Sequence, residues 1–203
     1  MKEKIASKIK DLKKSLILEE ACKYFEEVGF ENVKMSDLAR NCDISVGQLY
    51  KLFDSKENIF YEYVSYIINQ FYKNLISQSK ELSSPKDKLL LYLRLKFAIF
   101  NDKKRILTDS VAGDPLFFSK LNTKNKKIVQ PIFEFLSMEL EKLAREYGLE
   151  DDLNFLQVAH VFNSFTIGYV EYWLSSDDDN KLNVDVEDML ERFIAGFTCK
   201  GKK

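Results

Sequence analysis

Gln48 and Lys51 stand three residues apart, with Tyr50 beside them, inside the stretch MSDLARNCDISVGQLYKLFDSK that runs from Met35 to Lys56. A Gln amide donates and accepts at once, which suits the edge of adenine, and a Lys ammonium suits the two acceptors of guanine. Such side chains read a duplex only when a rigid element carries them into a groove. Val46, Leu49, Leu52 and Phe53 fall at helical spacing on one face of that element, leaving Gln48, Tyr50 and Lys51 on the other side. Ser45 stands where its hydroxyl can accept from the free N–H groups that open this helix. Leu38 and Ala39 are the apolar positions of an earlier helix that stops near Asn41-Cys42-Asp43, after which Ile44 packs inward. Gly47, in the first turn, allows another backbone close by. Two short helices around a tight turn make a helix-turn-helix, whose second helix fits the major groove of DNA.

The longer run ILEEACKYFEEVGFENVKMSDLARNCDISVGQLYKLFDSKENIF, from Ile17 to Phe60, resembles the N-terminal domain of TetR/AcrR-type transcriptional regulators. The matching marks are Ile17-Leu18 with Ala21 and Phe25 on a helix ending at Gly29, then Leu38-Ala39, then Ile44-Ser45, Gly47, Leu49-Tyr50 and Phe53, and finally Ser55-Lys56-Glu57. The resemblance covers about the first quarter of the chain. It implies that Tyr50 and Lys56 hold phosphates. Two positions depart from the family. Lys34 stands where the family has a capping Thr or Ser, so it keeps a reach to phosphate and leaves the cap to Asn32 or Ser36. Asp43 stands where the family has Gly in the turn. Asp tolerates left-handed backbone better than most residues, but it brings a carboxylate close to the DNA side.

The chain has 203 residues, 45% hydrophobic and 31% charged, with seven Gly and three Pro. That composition suits a globular protein with a sizeable core, all-helical and with short connections. No N-terminal apolar run of signal-peptide type is present, and the longest uncharged run, Leu153 to Val170, carries too many polar residues for a bilayer span. The expected setting is cytoplasmic, with no membrane partner. Cys22, Cys42 and Cys199 have no paired or metal-type spacing, and His160 is the one histidine, so neither a metal nor another cofactor is expected. Net charge is −1, but residues 1–14 hold six lysines against Glu3 and Asp11, which places positive charge on the leading segment. A few well-placed lysines, doubled in a dimer, are enough for phosphate contact.

Stepping along the chain, Ile9, Leu12, Leu16, Ile17, Ala21, Tyr24, Phe25 and Val28 predict a first helix over about residues 8–29. Ser55 caps a fourth helix over about 56–79. Ser83-Ser84-Pro85 opens the next, and Pro131 kinks or breaks a long segment ending at Gly148. The fold class is all-α: an N-terminal three-helix domain over residues 1–56 with the helix-turn-helix, and a C-terminal helical bundle over 57–203 for ligand binding and dimerisation.

Thirteen of the sixteen Phe lie after residue 56, more aromatic bulk than a thin helical layer needs. Together with the resemblance, this points to a lipophilic effector site built from Phe97, Phe100, Phe118, Phe133, Phe165, Tyr169 and Trp173, with His160 and Asn163 as polar handles. The bland alternative for His160 is a buried imidazole bonded to a neighbour. The helix over 153–174 is apolar nearly all round, and the last helix adds a second apolar face. Phe162, Val186, Met189, Leu190, Phe193, Ile194 and Phe197 are therefore the expected homodimer interface. No phosphate loop, Cys-x-x-Cys or nucleophile elbow occurs, so no enzyme is expected. The whole implies a ligand-responsive regulator, a repressor by resemblance, that binds a palindromic operator through Lys34, Ser45, Val46, Gln48, Tyr50, Lys51 and Lys56. The alternative is a helical small-molecule or lipid-binding protein whose motif no longer binds DNA; Asp43 and the acid-rich first helix favour it slightly.

Overall fold

The computed structural model describes residues 1–103, 128–148, 153–176 and 182–198. Among these residues there are eight α-helices and no strand: α1 Lys2–Val28, α2 Met35–Asn41, α3 Val46–Leu52, α4 Lys56–Ser79, α5 Pro85–Asp102, α6 Gln130–Glu146, α7 Phe155–Ser175 and α8 Val186–Thr198. Two compact units divide within α4, after Ile68. Phe118, expected at the effector site, lies outside the described residues, as does Cys199.

The first unit is built on α1. This helix starts at Lys2, not near residue 8, because residues 2–8 contain neither Gly nor Pro and favour helix. Ile9, Leu12 and Leu16, expected at the start of its buried face, are instead exposed by 62%, 63% and 58%. Burial begins at Ile17 and continues through Ala21, Cys22 and Phe25. The cause is length: α1 has 27 residues, about 40 Å, whereas α2 and α3 have seven each, about 10 Å. The short helices cannot cover the whole of the long one. Gly29, with φ 79°, ends α1 and donates its N–H to the Phe25 carbonyl. Phe25, Phe30, Phe60 and Tyr63 then form one aromatic cluster with ring centroids 5.0–6.5 Å apart. Tyr63 donates its hydroxyl to Glu26 Oε1 at 2.6 Å, and Lys14 pairs with Glu62 at 2.5 Å.

The second unit contains α5–α8 with the C-terminal part of α4. Ser84 accepts from the Asp87 N–H and Pro85 follows in the first turn, so α5 starts as the sequence indicates. Leu89, Leu93 and Phe97 are buried along it. Pro131 falls in the first turn of α6, where its missing N–H costs nothing, so it breaks the segment there rather than kinking it. Gly148, at φ 67°, follows the end of α6. Asn154, which the sequence had not marked, caps α7 by accepting from Gln157 N–H at 3.1 Å. Asn101, at the end of α5, accepts the Leu182 N–H and donates to the Leu182 carbonyl, tying that end to the chain before α8. Val158, Ala159, Phe162, Val170 and Trp173 of α7 and Met189, Leu190 and Phe193 of α8 share the core with α5 and α6.

Candidate nucleic-acid interface

The site starts at the turn between α2 and α3. Cys42, Asp43 and Ile44 donate their N–H groups back to Leu38, Arg40 and Ala39, closing α2 tightly. Asp43 takes φ 51°, the left-handed backbone expected of the position where the resemblance has Gly. Ser45 then opens α3. Its Oγ accepts the Gln48 N–H at 3.2 Å, and Gln48 Oε1 accepts the Ser45 N–H at 3.3 Å, a reciprocal capping box. Such a cap stabilises a helix start by about 1 kcal/mol, a large share for seven residues. The N-cap of α2 is different. Lys34 has no capping bond, and Asn32 donates to the Val28 carbonyl instead. Neither Asn32 nor Ser36 takes over the cap.

Beneath α3, Leu49 and Phe53 are 0% and 2% exposed, and Leu52 is partly buried. Above it, Ser45, Val46, Gln48, Tyr50 and Lys51 face solvent, and Lys34 is exposed at the start of α2. Val46, expected on the packed face, is 39% exposed. Gly47 also departs from expectation: a Cβ there would meet no atom within 4 Å, so no backbone of the described residues lies close. An open depression of about 520 Å3 lies between the two helices, lined by Ser36, Arg40, Asp43, Ser45, Val46 and Gln48 among others. Arg40 pairs with Asp37 at 3.3 Å on its rim.

Lys56 is placed less freely. Its Nζ donates to the carbonyls of Phe30 and Glu31 at 3.0 and 3.4 Å and lies 4.3 Å from the Phe30 ring centroid. It therefore fastens the turn after α1 to the start of α4. Cys42 is partly buried, and burial, followed by the Glu20 charge, pushes its thiol up. A raised thiol is a poor redox trigger.

A helix-turn-helix with this spacing and these surface residues is matched by a family model, "Bacterial regulatory proteins, tetR family", over residues 17–63. Over those residues the chain is similar to the N-terminal domain of the TetR family. The nucleoid occlusion factor SlmA of Yersinia pseudotuberculosis is 26% identical over 149 residues, covering 72% of this chain and 73% of its own. Among solved structures, the transcriptional regulator FadR of Bacillus subtilis in complex with stearoyl-CoA superposes with a TM-score of 0.72 at 19% identity, covering 90% of this chain and 98% of that one. The TetR-family repressor FadR of Thermus thermophilus in complex with lauroyl-CoA has a TM-score of 0.68 at 16% identity, covering 93% and 97%. At such identities the two structures speak for the fold.

Outside the helix-turn-helix, the described members of the expected ligand set are spread from the core of the second unit to its surface. Phe97 and Trp173 are buried in the core of the second unit, and Phe100, Phe133, Phe165 and Tyr169 pack against it. Phe118 lies outside the described residues. His160 is exposed, not a buried imidazole, and stacks on Phe133 with centroids 3.8 Å apart. Asn163 is partly buried and accepts from Tyr92 Oη and Lys96 Nζ. A small apolar cavity of about 40 Å3, lined by Leu140, Tyr147, Val158 and Phe193 among others, is too small for an effector.

The expected dimer residues are also displaced. Phe162, Met189 and Leu190 are at most 1% exposed, Phe193 and Val186 are 6% and 8%, and Ile194 packs against the same core. They fill their own protomer and offer little surface to a second one. The side chain of Phe197 lies outside the described set. The exposed apolar residues of α7 are Leu156, Val161 and Tyr172.

Sequence reasoning missed Lys96. It is 6% exposed, at a position of α5 where the helical stripe calls for an apolar residue. That position was the available signal: Lys96 follows Leu89 and Leu93 and precedes Phe100 at three- and four-residue steps. Glu139 is buried too, held by Lys142 at 2.9 Å and Lys88 at 3.6 Å, with its Oε2 unpartnered.

Proposed function

We propose that this chain is a transcriptional regulator that binds a palindromic operator as a homodimer, represses there, and is released by a small, mainly lipophilic effector. Residues 1–56 form its DNA-binding part and 57–203 its effector and dimerisation part, and it works in the cytoplasm. The observation that carries this is α3: a capped seven-residue helix held from beneath by Leu49 and by Phe53 at its end, with an exposed row of Ser45, Val46, Gln48, Tyr50 and Lys51. A helix held so firmly from below presents its outer side chains at fixed angles, which base readout requires.

Gln48 and Lys51 meet base edges, while Tyr50 and Lys34 meet phosphates. Lys56 serves first as a structural tie, with one N–H left for a phosphate. One short helix makes too few base contacts for tight recognition, so two protomers act on half-sites about one helical turn apart. The dimer face is supported by the exposed row Val161, Ser164, Gly168 and Tyr172 of α7, with large side chains at its ends and small ones in its middle that admit a close partner helix. The FadR structures hold acyl-CoA, which together with the aromatic content of the second unit supports a lipophilic effector. No described helix is long and apolar enough to cross a membrane.

The second reading is a helical ligand carrier that has lost DNA binding. Asp43 favours it, since its carboxylate lies on the rim of the depression where phosphates would approach. Selection of bound sequences from random duplex DNA separates the two. Enrichment of an inverted repeat supports the regulator; no enrichment at low salt, with the protein folded, supports the carrier.

A further inference from the structure

Lys96 has an ammonium group in the interior of the second unit. Its Nζ donates to Asn163 Oδ1 at 2.9 Å and to Thr166 Oγ1 at 2.5 Å, and lies 5.7 Å from the centroid of the Tyr92 ring. Both acceptors are neutral. Among the described residues no carboxylate lies within ion-pair distance of it, and no ionisable side chain of α6, α7 or α8 pairs with it. Elsewhere the same unit does supply a carboxylate: Lys88 and Lys142 share Glu139. Neutral acceptors satisfy N–H groups but do not balance a buried charge.

We propose that Lys96 is the anchor for a carboxylate head group on the effector, with Asn163 and Thr166 as its neutral frame. The proposal rests on the effector-responsive reading given above and names the chemistry of its ligand. An ammonium has three N–H groups; two are used by Asn163 and Thr166, and the third is the donor for the ligand. Asn163 is only partly buried, so the cluster reaches the edge of the core. One turn further along the same helix faces stand Phe100 on α5 and Tyr169 on α7, both partly buried, which supply an apolar wall for the body of the ligand.

Burial also lowers the Lys96 ammonium to about 7. The neighbour on its own helix, Tyr92, is a phenol that burial pushes up and so stays neutral. A carboxylate beside Lys96 favours the charged form. Binding therefore takes up a proton above pH 7, and affinity for a carboxylate falls as pH rises beyond that point.

The test uses the full chain and the fluorescence of Trp173, the one tryptophan. Dodecanoate, 1-dodecanol and benzoate are titrated at pH 6.5 into the wild type, Lys96→Met and Lys96→Arg. A charge-assisted contact predicts dodecanoate over dodecanol by on the order of 10–100-fold in the wild type. The preference should vanish in Lys96→Met, persist in Lys96→Arg, and shrink in the wild type at pH 9. Should Lys96→Met fail to fold, Lys96→Arg and the pH series decide. Equal binding of dodecanoate and dodecanol, or a preference that survives Lys96→Met, overturns the anchor and leaves the lipophilic effector standing. Binding of benzoate but of neither dodecyl ligand supports the anchor and contradicts the lipophilic effector. Binding of none of the three overturns both.

Discussion

Gln48 holds the Ser45 N–H with its Oε1, so its Nε2 alone remains to meet a base edge while the cap is kept. This makes Gln48→Glu more informative than Gln48→Ala. Glu keeps the capping box but offers no donor, so stability should stay within about 0.5 kcal/mol while preference at one base pair is lost. Gln48→Ala should lose that preference and also about 1 kcal/mol of stability. Melting curves and competition between operator variants read the two effects separately; unchanged base preference in Gln48→Glu removes Gln48 from the reading row. Lys96 gives a second residue-level prediction. Its ammonium is lowered to about 7, against 10.5 in the unfolded chain. Below pH 7 both states hold the proton and the burial cost is constant. Between pH 7 and 10.5 only the unfolded chain holds it, so stability rises with pH there. Lys96→Met removes this dependence, so its stabilising effect should be greater at pH 6 than at pH 9 by on the order of 2 kcal/mol. Urea unfolding at the two pH values checks it, and an equal effect at both contradicts a charged, buried Lys96. The Ser45-x-x-Gln48 box was legible in the sequence, since the spacing is that of a capping box. Burial of Lys96 was not, because a single lysine on an apolar stripe gives no sign whether its ammonium bends out to solvent or stays inside.

At the scale of elements, the turn between α2 and α3 depends on Asp43 at φ 51°. Gly adopts this backbone freely, so Asp43→Gly should stabilise by up to about 1 kcal/mol. It also removes a negative charge from the rim of the depression, so affinity for any duplex should rise several-fold at low salt. Thermal melting and fluorescence anisotropy against salt measure both; weaker DNA binding would mean that the carboxylate does not face phosphate. Helix existence was legible from periodicity, and α3, α4 and α5 have the starts expected from Val46, Ser55 and Ser84. The start of α1 and the burial of Ile9 and Leu12 were not. Periodic spacing says that one face of a helix is apolar, not that the neighbouring helices are long enough to cover it. The same limit applies to α7 and α8, where an apolar face meant the protomer's own core.

At the scale of the whole molecule, that last point changes which residues test the dimer. Phe193 is 6% exposed inside its own unit, so Phe193→Asp should cost several kcal/mol and unfold the chain rather than split a dimer. Val161 is 47% exposed, so Val161→Asp should leave the fold intact, give monomers at micromolar concentration, and weaken operator binding by at least tenfold. Sedimentation and circular dichroism together check this. A dimer that survives Val161→Asp moves the interface off α7. The central claim is that two α3 helices read one operator. Hydroxyl-radical footprinting of the full chain on its enriched duplex tests that most directly. Two protected half-sites should appear, related by a two-fold axis and about one helical turn apart. Protection of a single asymmetric half-site, or none at low salt, would contradict it.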